Sequence, residues 1–267
     1  MTLLASSLLA AVNRSRRPPR QPRALSPARG PASYVEGRAA GLAAVTVAYE
    51  RQGDGEPLVL LHGVGDDRRV WGDVVPLLTG YETMAIDLPG FGDSPDLDLG
   101  VPRDLETAVR WMGALFAALG VERPHVAGHS LGGLIALRLA QAGLVRSVTA
   151  LAPAGFWTGP ERRYAYAVLT MSRQGAACKA ALRAGRGAEL FSGDIPDVPV
   201  TIAWGTRDRL LPPWQAARAK AMIPAARLVP LPGCGHVPMA DAPELVAAVL
   251  RDASSRAAPG CDRASPG

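Results

Sequence analysis

Lysine is nearly missing from this chain of 267 residues: it stands only at Lys179 and Lys220, and the other basic residues are all arginine. With abundant alanine, that bias points to a GC-rich genome and not to a phosphate-binding face. Cysteine is equally scarce. Cys178, Cys234 and Cys261 are odd in number and lack the spacing of a metal knuckle or a dithiol redox motif, which favours a reducing cytoplasm. Cys234 reads either as a thiol near a site or as a small apolar filler. No run of eighteen apolar residues is present, so no stable membrane span is expected. No repeat of fixed period argues for a solenoid or a propeller.

The formal net charge of +5 suggests nucleic acid until it is located. Residues 1–38 carry Arg14, Arg16, Arg17, Arg20, Arg23, Arg29 and Arg38 against Glu36, so the rest of the chain is slightly acidic. A nucleic-acid partner is therefore not expected, and residues 1–40 read as a disordered Pro/Arg-rich tail. Residues 1–12 are apolar, but their positive charges follow the run instead of preceding it, the reverse of a secretory signal.

What is present is an alternation. Apolar, β-branched stretches at 45–49, 58–61, 83–87, 125–127, 148–151, 198–204 and 227–231 read as strands; helical spacing appears at 71–78, 105–119, 131–142, 213–222 and 245–251. Such an order builds a mostly parallel sheet with helices on both faces, in which a site forms at the carboxyl ends of the strands.

The most informative stretch is Gly128-His129-Ser130-Leu131-Gly132, set between a short strand and a helix. A serine hydroxyl is a weak nucleophile, so it needs a strained turn that exposes it, a base to take its proton and N–H groups behind the carbonyl it attacks. Asp208 lies in Gly205-Thr206-Arg207-Asp208, the loop that follows the buried strand read at 198–204, and His236 lies in the glycine-rich loop after the last strand. Serine, acid and histidine come in that order, which assigns Ser130 as nucleophile, His236 as general base and Asp208 as the carboxylate orienting it. The oxyanion donors are read as the N–H groups of Leu131, at a helix N-terminus, and Val64, in His62-Gly63-Val64-Gly65 after the second of these strands. His62 and His129 flank this machinery in shaping roles, and His125 lies within a strand. Asp194, Asp197 and Asp241 are read as surface acids and Asp87 as a loop-fixing residue.

Together, Leu61-His62-Gly63 with Trp71, Asp87-Leu88-Pro89-Gly90-Phe91-Gly92-Asp93-Ser94, the Ser130 turn, Trp204-Gly205 with Asp208, and Gly235-His236-Val237-Pro238 resemble the α/β-hydrolase superfamily, in its serine esterase and lipase-like branch. The resemblance spans roughly residues 44–252. It implies an α/β-hydrolase fold with core segments 41–153 and 198–257, a short lid at 154–197 and a second tail at 258–267. Ser130 and Asp208 lie 78 positions apart, where similar family members commonly insert a longer cap. One lid helix is expected near 161–173 and a second near 176–186. Phe156 and Trp157, at the lid entrance, read either as substrate contacts or as lid packing.

The implied activity is a cytoplasmic serine hydrolase acting on a small-molecule carboxylic ester or lactone through an acyl-enzyme, with no cofactor and no metal. Hydrolysis of C–C, amide or thioester bonds, cofactor-free peracid formation, and a non-catalytic binding role on the same fold are the alternatives.

Overall fold

The computed structural model describes residues 32–95, 104–171 and 191–257. Eight strands make one sheet: β1 (Ser33–Gly37), β2 (Val45–Gln52), β3 (Glu56–Leu61), β4 (Tyr81–Ile86), β5 (His125–His129), β6 (Ser147–Leu151), β7 (Val200–Gly205) and β8 (Arg227–Leu231). Their spatial order is β1-β2-β4-β3-β5-β6-β7-β8. The β1/β2 and β2/β4 pairs are antiparallel and every other pair is parallel. β5, β6 and β7 are buried along their whole length, which accounts for their near-continuous apolar sequence.

The helices are α1 (Leu105–Leu119), α2 (Leu131–Gln141), α3 (Gly159–Thr170), α4 (Gln215–Met222), α5 (Pro238–Asp241) and α6 (Pro243–Ser255). Asp104 caps α1 by accepting the Thr107 N–H at 2.7 Å, and Gly120 ends it in the left-handed conformation that favours glycine. The period of two in β3 divides the core. Val59 and Leu61 point to a cluster with Trp111, Leu115, Leu134 and Leu137 from α1 and α2. Leu58 and Leu60 point the other way, to Trp71, Val246 and Leu250. Two satellites of one sheet thus each bury a helical layer.

Three expectations change. β1 lies within residues 1–40, read as tail; averaged Pro/Arg composition hides a five-residue edge strand that pairs with β2 from Ser33 to Gly37. The helix expected at 71–78 is instead two 3-10 turns, Arg68–Trp71 and Val75–Leu77, because Gly72 and Pro76 interrupt a regular i→i+4 ladder. The lid helix expected near 161–173 begins earlier, at Gly159, with Pro160 in its first turn. The second lid helix at 176–186, Cys178, Cys261 and the 258–267 tail lie outside the described residues.

The chain order reverses direction between β3 and β5: β3 leads outward to β4 on one side, and β5 leads to β6 on the other. Loops leaving neighbouring strands at such a point diverge and leave a crevice. The His62 loop and the Ser130 turn leave from those two strands.

Candidate active site

Ser130 sits at the sharp junction of β5 and α2 with φ 53° and ψ −111°, a strained conformation for a residue with a side chain. Three bonds hold it there. Its N–H donates to Leu151 O at 3.0 Å, and its own carbonyl accepts from Ala154 N at 3.0 Å and Leu134 N at 3.1 Å. The flanking glycines are dictated by backbone proximity. A Cβ on Gly128 would lie 2.1 Å from Gly132 O, and one on Gly132 would lie 2.5 Å from Leu61 O and 2.6 Å from His62 O. The turn is thus pressed directly against the end of β3.

Asp208 and His236 meet although they come from different strands. His236 Nδ1 donates to Asp208 Oδ2 at 2.8 Å, with the carboxylate fully buried. The other carboxylate oxygen accepts from Leu210 N at 2.9 Å and Leu211 N at 2.8 Å, so Asp208 is locked by its own loop. With Nδ1 as donor, neutral His236 carries its lone pair on Nε2, the atom a general base uses. The two loops are seamed together: Arg207 N donates to Cys234 O at 2.9 Å, and a Cβ on Gly205 would lie 2.2 Å from Gly235 O. Cys234 is buried in that seam, the filler reading. Asp241, read from sequence as a surface acid, is instead half-buried and accepts the Gly235 N–H at 2.7 Å, so it shapes the histidine loop.

His129 joins the serine turn to this pair. Its Nε2 donates to the backbone carbonyl of His236 at 2.7 Å, and the two rings lie 4.8 Å apart. Burial first, and then the neighbouring His236, hold its pKa well below the usual histidine range, so the ring is neutral at neutral pH. Its Nδ1 is buried without a hydrogen-bond partner among the described residues, 3.9 Å from Asp66 Oδ2. Among the described residues no hydrogen bond joins Ser130 Oγ to the His236 ring; His129 brings the two to one rim. In enzymes with this arrangement that contact commonly tightens when substrate binds.

The loop after β3 is fixed from below. His62, fully buried, donates from Nδ1 to Gly63 O at 2.7 Å and accepts the Leu88 N–H on Nε2 at 2.8 Å; burial lowers its pKa. Asp87 accepts Arg68 N at 2.6 Å, Asp93 N at 2.8 Å and the Arg68 guanidinium, the loop-fixing role read from sequence. A Cβ on Gly63 would lie 2.9 Å from His129 Nδ1 and 3.0 Å from Ser130 Cβ, so only glycine lets this loop approach the serine. Val64 and Leu131 are half-buried. Among the described residues neither N–H is recorded as donating to a backbone or side-chain acceptor.

Of the two aromatics read as lying at the lid entrance, Phe156 is fully buried, with its ring centroid 5.6 Å from that of Phe191. Trp157 packs edge-on to Tyr166 at 6.0 Å, and its buried Nε1 has no hydrogen-bond partner among the described residues. Sequence reasoning missed a third contact of this region. Glu161 of α3 accepts Thr158 N at 2.6 Å, Trp214 Nε1 at 2.6 Å and both Arg218 guanidinium nitrogens at 2.7 and 2.8 Å. It therefore both caps α3 and ties it to α4. The signal available was Thr158-Gly159-Pro160-Glu161, a capping-box spacing.

Among the described residues no helix is long and apolar enough to cross a membrane. Residues 58–249 match the alpha/beta hydrolase family. One similar relative is a pimeloyl-(acyl-carrier protein) methyl ester esterase of Aeromonas hydrophila, 42% identical over 97 residues, which are 36% of this chain and 36% of that protein. The chain thus spans about a third of the length of the curated relatives that it matches first. Among solved structures, a bacterial membrane phospholipase A superposes with TM-score 0.69 at 24% identity, covering 96% of this chain and 91% of that one. A thermophilic esterase from Thermogutta terrifontis superposes with TM-score 0.68 at 20% identity, covering 85% and 99%. At that identity the superpositions establish the fold, and the match over residues 58–249 establishes the rest: this chain belongs to the alpha/beta hydrolase family.

Proposed function

We propose that the protein is a serine hydrolase that cleaves carboxylic esters, lactones among them, through an acyl-enzyme on Ser130. The observation that carries this reading is the buried His236–Asp208 pair, 2.8 Å from nitrogen to oxygen, at the rim where Ser130 is held in a strained turn. In the proposed mechanism Ser130 Oγ attacks the carbonyl carbon while its proton passes to His236 Nε2. Asp208 supports the imidazolium without taking the proton. The carbonyl oxygen becomes an anion facing the N–H groups of Val64 and Leu131, where the N-terminus of α2 adds a favourable dipole. His236 returns the proton to the leaving alcohol, and water, deprotonated by the same ring, releases the acid.

The aspartate-nucleophile chemistries of this fold, opening of epoxides and displacement of halide, do not suit a chain with serine at position 130. The short span between Ser130 and Asp208 supports an open acyl pocket that takes varied chain lengths. The test is hydrolysis of a series of p-nitrophenyl esters by purified wild type and Ser130→Ala. Wild type is expected to turn over the short members, and the variant to lose at least about a thousandfold in kcat while remaining folded. A folded Ser130→Ala protein of undiminished activity would refute the reading.

A further inference from the structure

Asp66 is an acid at this site that the proposed mechanism does not use. Its N–H donates to Gly63 O at 3.2 Å, closing a turn that brings the residue 66 side chain beside His129. Oδ2 reaches to 3.9 Å from His129 Nδ1, and the side chain remains 36% exposed. It is thus neither a core residue nor a fully solvated one: it borders the rim on which Ser130, His129 and His236 lie.

What surrounds Asp66 cannot neutralise it. His129, from the serine turn, is neutral, donates from Nε2 and so presents a lone pair on Nδ1. His236, from the histidine loop, is already partnered by Asp208. Asp67, the next residue on the same loop, adds negative charge and holds Arg69 to itself through bonds of 2.8 and 2.9 Å. Arg68 is committed to Asp87, Asp93 at 2.8 Å and Glu50 at 3.3 Å. Both arginines that follow Asp66 in sequence are therefore bound to other acids. Partial burial, with Asp67 contributing, pushes the Asp66 carboxyl up to about 6, and His236 pulls against that shift. Above that range the rim holds the Asp66 and Asp208 carboxylates with no guanidinium or ammonium group paired to Asp66 among the described residues.

From this placement we infer that Asp66 sets substrate charge preference: it disfavours esters that carry a carboxylate close to the scissile bond and favours neutral esters or those with a hydrogen-bond donor there. The inference rests on the esterase reading above. A like charge brought into a partly desolvated site raises the barrier, whereas an uncharged or donor group meets an acceptor.

The test compares two substrates of equal chain length, the methyl ester of a monocarboxylic acid and the monomethyl ester of the matching dicarboxylic acid. Wild type at pH 8 and low salt is expected to prefer the neutral ester by about tenfold in kcat/KM, an effect of one like-charge contact. The preference should shrink at high ionic strength, and as pH falls through about 6. Asp66→Asn, similar in size, is expected to bring the ratio to near one, and Asp66→Glu to keep it on the neutral side. A ratio that Asp66→Asn leaves unchanged overturns the inference alone. If wild type hydrolyses neither ester nor any p-nitrophenyl ester, the esterase reading fails and this inference falls with it.

Discussion

His129 Nε2 is 2.7 Å from the carbonyl oxygen of His236, so the residue next to Ser130 holds the backbone of the residue proposed to deprotonate it. These positions are 107 apart in the chain, yet one hydrogen bond sets the distance between their loops. Replacing His129 with leucine would leave a buried carbonyl unpaired, at a cost of about 1–3 kcal/mol in stability. The expected signature is a larger fall in kcat than rise in KM, with a lowered thermal midpoint. His129→Gln, which keeps a donor, should recover part of kcat. Steady-state kinetics and a thermal melt on both variants check this, and equal kinetics for the leucine variant and wild type would contradict it.

Gly132 and Gly120 make a matched pair for the serine turn. A methyl group at 132 would meet Leu61 O at 2.5 Å, whereas at 120 nothing lies within 4 Å and only the φ of +72° resists a side chain. Gly120→Ala is expected to cost about 1 kcal/mol, the ordinary strain of that conformation. Gly132→Ala should cost several times more or prevent folding, because two backbones must separate. Urea denaturation of the two variants decides the order; a milder effect at 132 would show that the turn is not pressed against β3.

Glu161 links the start of α3 to α4 through Arg218, with the ion pair at 2.7 Å. The Arg218 bonds come first among the causes that hold its carboxyl far below the usual range. A depressed carboxylate adds stability that is present above its unfolded pKa and is lost as pH falls toward its folded value. Glu161→Gln should therefore melt earlier than wild type at pH 7, with the gap narrowing as pH drops below about 4, near the unfolded range for glutamate. It should also raise KM for esters more than it lowers kcat, because a loosened lid disturbs binding before chemistry. A gap in melting temperature independent of pH would contradict the assigned charge.

The legible parts of this protein were those where one residue type has little alternative. Gly128, Ser130 and Gly132 announce a turn with no room for side chains, and Asp208 and His236 each follow a strand within a few residues. The alternation of apolar strands and amphipathic helices gave the sheet and the order of its layers. β1 was obscured because five residues of edge strand sit beside a Pro/Arg-rich stretch that dominates any average. The 3-10 turns at Arg68–Trp71 and Val75–Leu77 mimic helical spacing while Pro76 withholds a donor. Least legible were the joints between distant segments: His129 with His236, Asp66 with His129, and Glu161 with Arg218. Each needs a particular approach of two loops, which no local pattern encodes.

Activation of the Ser130 hydroxyl underlies the proposed chemistry, and a fluorophosphonate probe measures it directly. Incubating the purified protein with the probe and mapping the adduct by mass spectrometry should place one label on Ser130. The label should vanish in Ser130→Ala and form far more slowly in His236→Ala, since the attack needs the imidazole as base. A wild-type protein that stays unlabelled, or one that labels equally fast without His236, would contradict the proposed chemistry.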